Sequence, residues 1–349
     1  MPNFKEKMKN AAEALGKGGK AAAEKAKLAG GKIGEGSKTA FEKTKTAIGT
    51  VGKSGAHAVE VSREAVVSAM DQDGNGIIDS TDLIIIALKI PGVQINREQF
   101  LRKEFARHCS EDVINRAIET TPTQAGIDPE LIDKLVDETV RFERNAVSGI
   151  SMALGVPGGI AMAATIPADV AQYYGYMIRA AQKMMYLYGF PELEITEDGV
   201  NLDTETINSL TVCLGIMYGV AKASAAIKAM AKAFATGVEK QLMRRALTKG
   251  AIYPIVKSVA KWFGVHMTKE VFAGFFKKAI PVVGGVIGGG LTYATFKPCC
   301  DRLKTTLNNT SLSNPEYQET TEEQKIFDEI RNGVVIDVEP EELTEVDVE

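Results

Sequence analysis

The run DQDGNGIIDSTD, residues 71–82, spaces four aspartates and an asparagine around two glycines. Oxygen ligands from Asp71, Asp73, Asn75, the backbone carbonyl of Ile77, Asp79 and Asp82 fall at positions 1, 3, 5, 7, 9 and 12 of a twelve-residue loop, the EF-hand spacing for Ca2+. A hard cation of that size takes about six to eight oxygens, and this spacing wraps them around one point. Gly76 stands where the chain must turn sharply, and Ile78 supplies an apolar anchor two positions later. Asp82 stands where Glu is usual. Its shorter side chain predicts weaker Ca2+ binding and admits Mg2+ as a competitor. No second loop is expected, because the acidic stretch 197–205 has the wrong spacing.

Other chemistry is poorly represented. The three histidines, His57, His108 and His266, stand far from one another, and no HExxH, GxSxG, P-loop or dinucleotide fingerprint occurs. Of the four cysteines, only Cys299 and Cys300 are close, and an adjacent pair rarely bridges without strain. Reduced thiols and an intracellular setting are expected. MPNFKEKMKN is not expected to be a secretory signal, since no apolar stretch follows its charges. A catalytic role is therefore not expected. The lysines of the first 56 residues bring no reader motif for nucleic acid, so no specific nucleic-acid binding is expected.

The elements that must hold the loop read as helices. HAVEVSREAVVSAM before it and TDLIIIALKI after it predict a helix–loop–helix over 57–92. From Val93 to Leu312 the apolar period is helical, with helices expected at 97–108, 111–120, 129–148, 150–164, 167–188, 204–236, 238–262, 267–278 and 282–308. The fold class expected is all-α: a multi-helix domain over 93–312, an N-terminal EF-hand over 57–92, and disordered or weakly helical tails.

Those tails have opposite charge. Residues 1–56 carry 12 Lys against 5 Glu and form a Gly-rich, amphipathic basic arm. Its glycines disfavour a stable helix in water, whereas an anionic membrane surface would bury its apolar stripe and meet its lysines. Residues 313–349 form an acidic tail, with a short helix at 321–332. The tail is either disordered, docked on the basic stretch 222–278 of the same chain, or a contact for a protein partner. Two charge-free, Gly-rich runs, Ala146–Ala168 and Ala279–Phe296, approach bilayer length. Neither is Leu-rich and both contain Pro, so buried helices or an interfacial hairpin are expected in preference to spanning segments.

GVPGGIAMAATIPAD (Gly155–Asp169), the helix with Tyr176, Arg179, Ala180, Ala181 and Gln182, the terminator Tyr188-Gly189 followed by Pro191, and KAIPVVGGVIGGGLTYATF (Lys278–Phe296) together resemble the EcsC protein family over about residues 95–310. The resemblance implies a helical, membrane-associated protein and brings no agreed enzymatic activity. The basic arm, the EF-hand and the acidic tail depart from that core. By helical spacing, Asp169, Tyr173, Tyr176, Arg179 and Lys183 form a polar stripe through apolar surroundings. Such groups must find partners, either in a buried Asp169–Arg179 network that fixes packing or in a polar pocket for a headgroup.

The combined expectation is a non-enzymatic, Ca2+-binding protein peripherally attached to anionic membrane through its basic arm and the stretch Lys222–Lys278, with Trp262 and Phe263. Two alternatives come from other classes. One is a membrane-inserting or pore-like effector that uses the Gly-rich hairpins. The other is an enzyme with a site around Asp169, Tyr176 and Arg179.

Overall fold

The computed structural model describes residues 70–155, 166–194, 203–266 and 283–336. Among them are eleven helices and no strand, so the chain is all-α, as its periodicity predicts. The helices are α1 (Ser80–Leu88), α2 (Arg97–Phe105), α3 (Glu111–Glu119), α4 (Pro129–Gly155), α5 (Ile166–Leu187), α6 (Thr204–Tyr218), α7 (Ala223–Ala235), α8 (Lys240–Lys249), α9 (Tyr253–His266), α10 (Val283–Asn308) and α11 (Thr321–Arg331). The basic arm 1–56, nearly all of the helix expected before the loop, the Pro157-Gly158 turn, the helix expected at 267–278 and the end of the acidic tail lie outside the described residues.

α6 lies at the centre. It is apolar or small on nearly every face, and a helix of that kind needs neighbours all round. Thr206 through Met217 are buried, and α1, α5, α7, α8, α9 and α10 all pack on α6. α6 ends at Gly219, whose φ of 73° is left-handed. There the amides of Gly219 and Val220 donate to the carbonyls of Ile216 (3.1 Å) and Gly215 (2.8 Å), closing the helix with the paired bonds of a Schellman turn.

The single helix expected over 204–236 is therefore two, and that expected over 238–262 also divides, at Gly250. In the other direction, the helices expected at 129–148 and 150–164 join as α4, which runs on through Gly149 to Gly155. A mid-helix glycine costs about 1 kcal/mol. The long packing of α4 on α10 and α5 offsets that.

α1 leads out of the loop and is a core helix, not an appended one. Leu83, Ile84, Ala87 and Leu88 are buried, and α1 packs on α5, α6 and α9. Each buried Leu or Ile contributes about 1.5–3 kcal/mol, so the loop is fixed firmly at its outgoing end.

The described part of the acidic tail docks on the basic stretch of its own chain. α11 packs against α7 and α8, burying Ile326, Phe327 and Ile330. Lys228 pairs with Glu323 at 3.1 Å and Lys232 with Glu319 at 2.9 Å. Thr320 and Glu323 form a capping box at the start of α11, and the Ile336 amide donates to the Lys249 carbonyl at 2.9 Å. No helix of the described residues is long and apolar enough to cross a membrane.

Candidate metal centre

The loop is shaped by local hydrogen bonds. Asp71 turns its carboxylate inward. Oδ1 accepts from the amides of Gly74 (2.8 Å) and Asn75 (3.1 Å), and Oδ2 from that of Gly76 (2.8 Å). Led by the bond from Gly76, these hold the Asp71 carboxyl below its ordinary value. Gly74 and Gly76 have φ of 76° and 80°, a region that costs other residues strain. Asn75 Oδ1 accepts from the Ile77 amide at 2.8 Å, and its Nδ2 donates to Asp73 Oδ2 at 2.8 Å.

The far side of the loop is the start of α1. Asp79 is the N-cap, accepting from the Thr81 amide at 2.6 Å, and Asp82 bends back to accept from the Asp79 amide at 2.9 Å. This capping box places the carboxylate of position 12 in the loop. The second oxygen of Asp82 accepts from the Gln72 amide at 2.6 Å, joining the two ends of the loop. Burial raises the carboxyls of both Asp79 and Asp82 above the ordinary range, with Asp73 among the charges that add to it.

Carboxylate oxygens of Asp71, Asp73 and Asp82 lie within 4.8 Å of one another, close enough to share one cation with oxygen distances of about 2.3–2.6 Å after small side-chain movements. Asp79 is engaged as the cap, a role compatible with position 9, which often reaches the ion through water. Ile78 is buried in the core, and Ile77 is 53 % exposed. These residues fit Ca2+ or Mg2+. The donors are all hard oxygens, with no Cys or His among them.

The polar stripe has other partners than the spacing suggested. Asp169 and Arg179 stand ten residues apart on α5, a rise of about 15 Å, and the Asp169 side chain lies outside those described. Arg179 meets Glu143 of α4, with Nε 3.2 Å from Oε2, and donates to the Gly92 carbonyl at 2.6 Å. Lys183 lies 2.6 Å from Glu143 Oε1, and burial lowers the Lys183 ammonium below its ordinary value. Tyr176 lies beneath the Arg179 guanidinium, 5.6 Å from ring centre to Cζ. Gln182 accepts from the Ile95 amide (3.1 Å) and donates to the Val93 carbonyl (2.9 Å). Arg179 and Gln182 therefore clasp the segment that leaves α1.

Sequence reasoning passed over Glu143, which is 0 % exposed. Its signal was a lone carboxylate on the inward stripe of α4. Arg97 was passed over too. Its guanidinium is buried and donates to the carbonyls of Ala117, Ile118, Thr120 and Phe190 at 2.7–3.3 Å, closing the end of α3 without any carboxylate.

Two expectations for the basic stretch need correction. Phe263 does not face outward. It is buried 5.0–5.1 Å from the ring centres of Trp262 and Tyr218, because an aromatic ring gains more from this cluster than from exposure. Lys228 and Lys232, on the same stretch, are covered by α11 and paired with its carboxylates.

No protein-family model matches the chain, and neither a curated protein nor a solved structure matches it.

Proposed function

We propose that this chain is a Ca2+-binding, non-enzymatic helical protein that attaches peripherally to anionic membrane inside the cell. The carrying observation is the loop: three aspartates whose oxygens gather within 4.8 Å, at EF-hand spacing, with two left-handed glycines and a buried Ile78. In water, such a group of carboxylates repels itself, and a divalent cation removes that penalty. Asp71, Asp73, Asn75, the Ile77 carbonyl, Asp79 and Asp82 would hold the ion. Mg2+ competes, because Asp82 is one methylene short of Glu.

Membrane attachment is supported by charge. α8 and α9 carry Lys240, Arg244, Arg245, Lys249, Lys257 and Lys261 with no carboxylate between Lys240 and His266; Lys240 pairs with Glu194 and Arg244 with Glu205, and the arm 1–56 adds more lysine. The EcsC-like reading of 95–310 belongs to the same proposal, since residues that carry the likeness, Arg179 and Gln182, hold the segment after α1. Their engagement with Glu143 and backbone groups favours a packing role over a catalytic one for Arg179.

Calorimetry with CaCl2 and with MgCl2 tests the loop. Co-sedimentation with phosphatidylserine vesicles, in Ca2+ and in chelator, tests the membrane. Heat of Ca2+ binding that disappears in Asp71→Ala is expected. No heat overturns the metal assignment, and no sedimentation in either condition overturns the membrane assignment.

A further inference from the structure

Resting on the Ca2+ reading of the loop, we infer that Ile77 and Gly264 form the contact through which the loaded loop acts on α9, and that Gly264 is glycine because Ile77 seats there. Ile77 Cγ2 lies 3.1 Å from where a Cβ on Gly264 would stand. That is closer than side chains ordinarily approach, so the isoleucine rests against bare backbone near the end of α9.

Among the described residues, the outgoing side of the loop is fixed. α1 cannot swing as a free outgoing helix. Leu83, Ile84, Ala87 and Leu88 anchor it in the core. Its far end is tied by Arg179 to the Gly92 carbonyl and by Gln182 to Val93 and Ile95. Among the described residues, movement on metal binding is thus expected in 71–79. Of the two apolar side chains in that span, Ile78 is buried in the core and Ile77 reaches α9. Ile77 is also the residue whose backbone carbonyl would ligate the ion, so drawing that carbonyl inward shifts its side chain on Gly264. In a paired EF-hand, a second loop supports positions 7 and 8; here α9 supports position 7.

The chain has one tryptophan, Trp262, two residues from Gly264, and its ring packs 5.0 Å from Phe263 and 5.5 Å from Tyr218. Its fluorescence therefore reports on this end of α9. The experiment is a CaCl2 titration of the full chain, read in parallel by calorimetry and by Trp262 emission, on the parent, Ile77→Ala and Gly264→Ala. In the parent, emission changes with the same midpoint as the heat. In Ile77→Ala, which keeps the ligating backbone carbonyl, the emission change is lost at saturating CaCl2. In Gly264→Ala, the added methyl displaces Ile77 and affinity falls about fivefold, the equivalent of about 1 kcal/mol. Far-UV circular dichroism of each variant establishes that it is folded. Ca2+ heat with a silent Trp262 in the parent, or an unchanged emission response in Ile77→Ala, overturns this inference alone. Absence of Ca2+ heat in the parent overturns the reading of the loop and this inference with it.

Discussion

Glu143 sits between two cations of its own chain, Lys183 at 2.6 Å and Arg179 at 3.2 Å. The aspartates of the loop have, among the described residues, backbone amides, the Asn75 amide, the Thr81 hydroxyl and one another. Both regions concentrate charge, but among the described residues only the seam around Glu143 carries its own counter-ions. A buried carboxylate with two partners is closed to further ligands. A partly exposed set of carboxylates without a described cation beside it is the arrangement that the proposed divalent ion would complete. The comparison therefore favours packing for the residues around Arg179 and supports the binding proposed for the residues around Asp71.

The sharpest way to break it is to remove Glu143. Glu143→Ala leaves Arg179 and Lys183 largely buried without a carboxylate, and a loss of about 3–5 kcal/mol is expected, read from urea unfolding by circular dichroism. Asp73→Ala, measured in chelator, is expected to change stability by no more than about 0.5 kcal/mol. Equal losses in the two variants would remove the distinction.

Adding the ion gives the next largest effect. With free Ca2+ at about a hundred times its dissociation constant, unfolding of the parent is expected to cost about 2.7 kcal/mol more. Asp71→Ala should show none of that gain. A parent whose urea midpoint ignores Ca2+ would leave the loop as an acidic turn.

Position 12 sharpens the comparison further. Both Asp82 oxygens accept from backbone amides, so a two-oxygen contact with the ion competes with those bonds. Asp82→Glu adds the missing methylene and is expected to favour Ca2+ over Mg2+ by about tenfold more than the parent, or about 1.4 kcal/mol, by competition calorimetry. An unchanged ratio would show that residue 82 acts as a cap and not as a ligand.

The smallest effect concerns a region between these extremes, the docked tail. Burial alone would raise Glu319 and Glu323, but the bond from Lys232 to Glu319, and those from Tyr317, Thr320 and Lys228 to Glu323, outweigh it and leave both below the ordinary 4.5. Groups lowered on folding add stability that is complete above their unfolded value and is lost as pH falls through the folded one. Docking of α11 is thus expected to weaken as pH drops below about 4.5, while Ile326, Phe327 and Ile330 keep it partly in place. Urea midpoints at neutral and acid pH for the parent and Glu323→Gln check this. A variant as acid-sensitive as the parent would exclude Glu323 as the source.

What could be read without coordinates was local. The loop spacing, the Asp79–Asp82 pair three residues apart and the apolar run of α1 all act within a dozen residues, where covalent geometry already restricts the outcome. The helical class follows from a period that repeats along the whole chain. Helix breaks were harder. Gly219 ends α6 while Gly149 passes inside α4, and nothing near either glycine in sequence distinguishes them.

The identity of each charge's partner was decided only by packing. Arg179 looked to Asp169 on its own helix, yet a helix holds residues ten apart at a fixed distance, and Glu143 on α4 is the carboxylate it meets. Lys228 and Lys232 looked free for lipid until α11 folded over them. Asp71–Asp82 by itself determined a cluster of oxygen donors, because they all come from one short segment. Where that loop rests, on Gly264 of α9 and behind the clasp of Arg179 and Gln182, depends on residues nearly one hundred to two hundred positions away. Such contacts carry no local pattern, since the chain between them fixes only that they are able to meet.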